Sequence, residues 1–191
     1  MRTNKAIKNT VAIMIMIAVS VGLGYAYDKI SNWFEKRSHP LEYTEIVEKY
    51  SEEYSVPKEM VFGVIKAESG FRSDVVSSAG AVGLMQITEV TFDWLTARMG
   101  ENLSKGLLYD PETNIKYGTY YLGYLYKEFG NWDIVLAAYN AGPNKVKNNW
   151  LNNPEYIIEN EIVYIPIEET RTYIQRVNKN RETYKRLYFS G

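Results

Sequence analysis

The uncharged run from Val11 to Ala26 divides this chain before any other feature can be weighed. Residues 1–10 carry Arg2, Lys5 and Lys8 and no acid, so a basic start leads straight into an apolar stretch. That order is the pattern of a secretory signal or of an uncleaved signal anchor. The run lies near the low end of the roughly 17–25 residues that cross a bilayer as a helix. Gly24-Tyr25-Ala26 offers small residues for cleavage, but the run is long for a signal peptide, which favours the anchor. A buried helix of a cytosolic domain would need polar positions at helical spacing, and they are missing. Basic residues stay on the cytoplasmic side, so the remainder is expected outside the cell membrane, on a single-pass chain or secreted after cleavage. The expected organisation is a signal segment over 1–27, a juxtamembrane linker over 28–40 with Lys29, Glu35, Lys36 and Arg37, and one domain over 41–191.

A residue census then removes most chemistries. The chain has no cysteine and a single histidine, His39. Thiol nucleophiles, disulfides and cysteine-rich zinc sites are excluded, and zinc hydrolase sites built on two or three imidazoles are disfavoured. His39 stands before Pro40 and reads as a solvated linker histidine. A formal net charge of −1 leaves no broad basic surface for nucleic acid. Any reaction must rest on carboxylates, hydroxyls, amides or lysines, and the chemistry that the resemblance given below implies needs no metal or cofactor.

From Leu41 onward apolar residues recur at helical spacing, and the expected class is mainly α. Helices are predicted over 41–50, then from Pro57 to Ser69 with Gly70 as the stop, and from near Thr88 to Met99-Gly100. Asp110-Pro111 opens another, running from Glu112 to Phe129 before Gly130, and Trp132–Tyr139 precedes the breaker Asn140-Ala141-Gly142-Pro143. A loop rich in Ser, Ala and Gly fills 73–83, residues 162–166 read as extended, and a polar helix spans Thr170–Tyr188.

Glu68 closes the apolar helix Val61–Ala67. A carboxyl beside a buried helix is held protonated by desolvation and can donate a proton. Taken alone, however, Glu68 reads as an ordinary helix-end glutamate. Its context is different. Ala67-Glu68-Ser69-Gly70-Phe71, Gly80-Ala81-Val82-Gly83-Leu84-Met85-Gln86-Ile87 and Ala137-Ala138-Tyr139-Asn140-Ala141-Gly142-Pro143 follow in that order, with Ile165-Pro166-Ile167-Glu168-Glu169-Thr170-Arg171-Thr172-Tyr173-Ile174 behind them. This series resembles the transglycosylase domain of the soluble lytic transglycosylase family, the goose-lysozyme-like branch of the lysozyme superfamily.

The resemblance implies a lysozyme-like SLT fold and a lytic murein transglycosylase acting on the glycan strands of peptidoglycan. Glu68 would be the single catalytic acid/base, and Ser69 would hold substrate or support the site. Gly83, Leu84, Met85 and Gln86 would line the sugar groove. Tyr139 and Asn140 would follow, the tyrosine hydroxyl approaching the catalytic carboxyl, and Glu169 would contribute to the groove. Each block also has a plain reading: turn glycines at Gly80 and Gly83, core at Leu84, Met85 and Tyr139, and a structural arginine at Arg171, which we retain.

A standard glycosidase needs two carboxyls. The candidates for the second are Asp74, Glu89 and Asp93, but none has a motif match, and Asp74 and Glu89 read as loop or helix-start caps. Lack of a partner suits chemistry assisted by the sugar's own N-acetyl group, giving 1,6-anhydromuramic acid ends. A hydrolase on the same glycan is the nearest alternative. A non-catalytic wall-binding component with partners in an envelope-spanning assembly is the other.

Overall fold

In the computed structural model, residues 2–153, 155–158, 161–162 and 164–190 are described. Two units separate, Met1–Pro40 and Leu41–Gly191. The first is one helix, α1, from Arg2 to Ser38. Its Thr10–Ser38 stretch is long and apolar enough to cross a membrane by length and composition. The stretch read as a linker is therefore helical almost to its end. Asp28–Arg37 holds neither glycine nor proline, and the first breaker is Pro40, which disfavours helix at the residue before it. His39 is half-buried against the helix end, its Nδ1 lying 2.9 Å from Ser38 Oγ and 3.2 Å from the Glu35 carbonyl. It is not the solvated histidine expected.

The second unit is mainly helical, and its punctuation follows local chemistry. Helix α2 (Thr44–Tyr54) starts later and ends later than the periodicity suggests, because Tyr43 and Ser55 take left-handed backbone at its two ends. Helix α3 (Lys58–Glu68) follows Pro57. The small-residue loop closes as a hairpin, β1 (Ala81–Val82) against β2 (Ile87–Thr88), with Val82 opposite Ile87. Thr88 caps α4 (Glu89–Arg98) by accepting from Thr91 N–H at 3.2 Å. Asp110 caps α5 (Pro111–Phe129) by accepting from Thr113 N–H at 2.8 Å. Asn131 does the same for α6 (Trp132–Ala141). Such caps contribute roughly 1 kcal/mol each. After the short α7 (Pro143–Lys145), β3 (Ile157–Ile158) pairs antiparallel with β4 (Glu161–Ile162), and α8 (Glu168–Tyr184) runs on into a last helical turn over Lys185–Phe189.

The extended stretch expected over 162–166 begins as the end of β4, and Val163 lies outside the described residues. Tyr164 extends the pairing by donating its N–H to the Tyr156 carbonyl at 3.2 Å, and Arg171 holds the stretch from α8. Its guanidinium donates to the Ile165 carbonyl and stacks 5.4 Å from the Tyr164 ring. Arg171 is thus a structural residue.

Met60 to Ile65 of α3 are buried, and α8 lies directly on this helix. Gly63 permits the approach: a Cβ there would sit 3.1 Å from the Arg181 nitrogen and the Val177 carbonyl. Phe62 stacks on Tyr184 at 5.2 Å and on Phe189 at 5.8 Å. Burying a ring of this size contributes about 1.5–3 kcal/mol. The consequence for function is one of placement. With α3 and α8 locked backbone to backbone, the carboxyl at the end of α3 faces residues of α8.

Candidate active site

Glu68 is the last residue of α3 and is half-buried. Burial pushes its carboxyl up to about 7, and the Tyr173 hydroxyl and the Arg176 guanidinium keep it from rising further. Tyr173 is buried at 3% exposure, and its hydroxyl has no hydrogen-bond partner of normal geometry. Burial, then the nearby Glu68 charge, hold the phenols of Tyr173 and Tyr139 well above their ordinary range. A carboxyl tuned near neutrality and flanked by two neutral phenols can give a proton and take one back.

Beside it, the turn between β1 and β2 is pinned from four sides. Gly83 has φ +80°, and a Cβ there would collide with the Asn114 amide and the Leu108 carbonyl. Fully buried Asn114 accepts from Met85 N–H at 2.7 Å and donates to the Val82 and Leu108 carbonyls at 2.9 and 2.8 Å. Ser69 Oγ donates to the Leu84 carbonyl at 2.8 Å and accepts from Phe71 N–H at 3.1 Å. Tyr139 donates to the Met85 carbonyl at 2.8 Å. Gln86, itself at φ +51°, donates its amide to the Gly83 and Val75 carbonyls at 2.9 and 3.1 Å.

Three clefts adjoin one another, and the central one is bounded by Gln86 of this turn. The central one, about 310 Å³, is lined by Gln86, Thr88, Tyr121, Tyr139 and Asn140. It shares Thr91, Tyr121 and Pro143 with a cleft of about 530 Å³ walled by Trp94 and Tyr124. It shares Asn140 with one of about 410 Å³ on α8, lined by Glu169, Thr172, Tyr173 and Arg176. Long, aromatic and amide-rich, the set has the form of a polymer groove rather than of a closed small-molecule pocket. Among the described residues no group of three or more His, Asp or Glu side chains could hold a metal ion.

The transglycosylase SLT domain model matches residues 45–162, more than half of the chain. The chain belongs to the SLT family. The soluble lytic murein transglycosylase of Escherichia coli K12 is 38% identical over 169 residues, which cover 85% of this chain and 25% of that protein. The membrane-bound lytic murein transglycosylase C of Edwardsiella ictaluri is 28% identical over 207 residues, covering 96% of this chain and 55% of that one. This chain thus spans about a quarter to a half of the length of these relatives. The 70-kDa soluble lytic transglycosylase of E. coli superposes with a TM-score of 0.72 and 36% identity over 82% of this chain and 26% of that one. Lytic transglycosylase Slt of Pseudomonas aeruginosa, solved as an inactive mutant with glutamine in place of a glutamate, gives 0.69 and 30% over 79% and 25%.

In this SLT domain the residues expected at the site divide into two sets. Gln86, Tyr139, Asn140 and Glu169 line the clefts. Ser69, Leu84 and Met85 are buried at 3%, 0% and 0%, so their side chains hold the turn and do not face a groove, and Gly83 contributes its backbone alone. The partner carboxylates sought in the sequence stand elsewhere. Asp74 is exposed in a loop that starts no helix, and Glu89 and Asp93 pair with Lys105 at 3.0 and 3.2 Å on exposed α4. Glu89 caps nothing, since Thr88 takes that role. Sequence reasoning misses Asn114, Tyr173, Arg176, Trp94 and Tyr124. Tyr173 stands inside a quoted motif; the others carry no local signal.

Proposed function

We propose that this protein is a peptidoglycan lytic transglycosylase that cleaves the β-1,4 bond between N-acetylmuramic acid and N-acetylglucosamine. The observation that carries the reading is Glu68: a half-buried carboxyl raised to about 7, coupled to two groove tyrosines, with no second carboxylate among the charges acting on it. Protonated Glu68 gives its proton to the bridging oxygen as the bond to C1 of muramic acid breaks. The resulting carboxylate then takes the proton of that sugar's C6 hydroxyl, which closes onto C1 as a 1,6-anhydro ring. Glu68 ends as it began, and no water is consumed. The sugar's N-acetyl group stabilises the cationic centre in place of a second carboxylate, and the internal hydroxyl gains from proximity. Gln86, Tyr139 and Asn140 line the sugar groove, and Glu169 stands on its α8 rim. With α1 as a single-pass anchor, the domain works outside the cell membrane on glycan within reach.

Digestion of purified sacculi tests the reaction. The products should be muropeptides lighter by one water than their reducing counterparts, and predominantly reducing ends would assign a hydrolase instead. The pH profile tests the acid. Because the first step needs protonated Glu68, kcat/KM should be level below about 7 and fall roughly tenfold per pH unit above it. Tyr173→Phe removes a group that favours the ionised form, so its alkaline limb should move to higher pH; an unmoved limb would separate Tyr173 from Glu68.

A further inference from the structure

Helix α1 changes character along its length. From Val11 to Tyr27 it is uncharged on every side, the composition of a helix in contact with lipid. From Asp28 charge returns, but on part of the circumference only. At about 100° per residue, Leu23, Tyr27, Ile30, Trp33 and Phe34 fall within an arc about 120° wide. Asp28, Asn32 and Glu35 stand on the opposite side, and Lys29 and Lys36 lie along one flank. Arg37 brings charge into the arc only at its outer end.

Tyr27, Ile30, Trp33 and Phe34 are 72%, 58%, 56% and 59% exposed. Trp33 and Phe34 meet edge to face with centroids 4.8 Å apart. Cations stand at the level of the rings: Lys29 Nζ lies 5.0 Å from the Tyr25 centroid, and the Arg37 guanidinium 5.7 Å from the Trp33 ring. Aromatic rings with cations beside them, on a helix leaving an apolar span, suit a headgroup layer, where rings sit between hydrocarbon and phosphate.

Length points to the same occupant. Thr10–Ser38 is 29 residues, about 43 Å as a helix. A hydrocarbon core is about 30 Å thick, and a bilayer with its headgroups about 40–45 Å. The stretch therefore matches the whole bilayer, and its last turns fall at the outer headgroups. A tilt of the ordinary size for spanning helices, about 20°, turns the apolar arc toward lipid and leaves Asp28 and Glu35 facing water. A second copy of α1 fits less well. Outside the span a paired seam would hold only Tyr27, Ile30, Phe34 and Arg37, short of the roughly three heptads that such pairing needs, and it would oppose two Arg37 side chains.

We propose that residues 27–37 of α1 rest in the outer headgroup layer of the membrane, their aromatic face against lipid and Lys29 and Arg37 on lipid phosphates. The stretch expected as a linker is then part of the anchor. The inference rests on the reading of α1 as a membrane anchor and is independent of the reaction that the domain catalyses.

The chain has no cysteine, so a single introduced one reports a single place. The full chain, reconstituted in vesicles of phosphatidylcholine and phosphatidylglycerol, carries an environment-sensitive fluorophore at Ile30→Cys, Phe34→Cys, Asn32→Cys or Glu35→Cys. All four positions lie outside the unit that holds Glu68. Lipids with a nitroxide on the headgroup should quench the label at positions 30 and 34 at least about threefold more than at 32 and 35, and aqueous iodide should do the reverse. Adding Arg37→Glu to Phe34→Cys should lower headgroup quenching about twofold, by repelling the anionic surface. Unchanged quenching there would overturn the assignment to lipid phosphates. Equal quenching at all four positions would overturn the proposal as a whole. So would labels at Phe34→Cys that quench one another until unlabelled chain dilutes them, which would assign the face to a second copy. Ile17→Cys separates this inference from the anchor. Quenching there by an acyl-chain nitroxide, with none by headgroup nitroxide at positions 30 and 34, keeps the anchor and refutes the headgroup site. No quenching at Ile17→Cys removes the anchor and this inference with it.

Discussion

Sacculi should remain uncut by the Glu68→Gln protein, with turnover lowered by about a thousandfold or more, while the domain folds and binds glycan as before. Glutamine keeps the shape of the side chain and removes the proton that the reaction moves. The same change should alter stability in a pH-dependent way. The Glu68 carboxyl sits at about 7 in the fold against 4.5 ordinarily, so between these values the folded protein binds more protons than the unfolded chain. The contribution of Glu68 to stability is therefore greatest below about 4.5 and falls as pH rises to about 7. Above that, a half-buried charge is retained without a hydrogen-bonded cation, at a cost on the order of 1–3 kcal/mol after solvent screening. Glutamine never carries that charge. Melting of the two proteins at pH 4.5 and pH 8 should coincide at the first and differ by several degrees at the second, the variant being more stable. Parallel melting curves at both pH values would contradict the buried carboxyl, and retained cleavage would contradict its catalytic role.

Asn114→Ala should destabilise the domain by about 3–5 kcal/mol and lower activity with it. The side chain is fully buried and serves three backbone groups, Met85 N–H and the Val82 and Leu108 carbonyls. Alanine leaves all three without their partner, and each unsatisfied buried group costs roughly 1–3 kcal/mol. The damage falls on the turn that places Gln86 and receives the Tyr139 hydroxyl, so loss of the amide reaches the groove directly. Urea unfolding gives the stability change. A loss below about 1 kcal/mol would mean that Ser69, Tyr139 and Gln86 hold the turn without Asn114.

Helix ends and turns are legible in the sequence because their causes are local. Pro57, Asp110-Pro111, Gly130 and the Asn140–Pro143 breaker each act within a few residues, and each lies at or beside a helix end in the fold. Expectations fail where local chemistry does not decide the outcome. The 73–83 loop looks structureless, since a two-residue hairpin strand such as Ala81–Val82 leaves no periodic trace. Asp74 and Glu89 look like caps because their residue types cap well, and only the backbone reveals that no helix starts at one and that Thr88 already caps the other. Leu84 and Met85 look like groove residues because their motif borders the groove, whereas Ser69 takes the second of its two expected roles and supports the turn. A motif identifies a turn; burial decides which of its atoms face solvent.

By itself the sequence determined a basic-then-apolar N-terminal segment, a cysteine-free helical domain with the order of its longer helices, and Glu68 within an SLT series. These depend on composition, spacing and residue order along the chain. The tertiary structure alone decided what Glu68 becomes chemically. Its proton affinity follows from burial at the end of α3 and from Tyr173 and Arg176, which lie more than a hundred residues away in sequence. They reach it because Gly63 lets α3 and α8 meet backbone to backbone. Desolvation and the field of a neighbouring charge act through space over a few ångströms, and residue order carries no record of that distance.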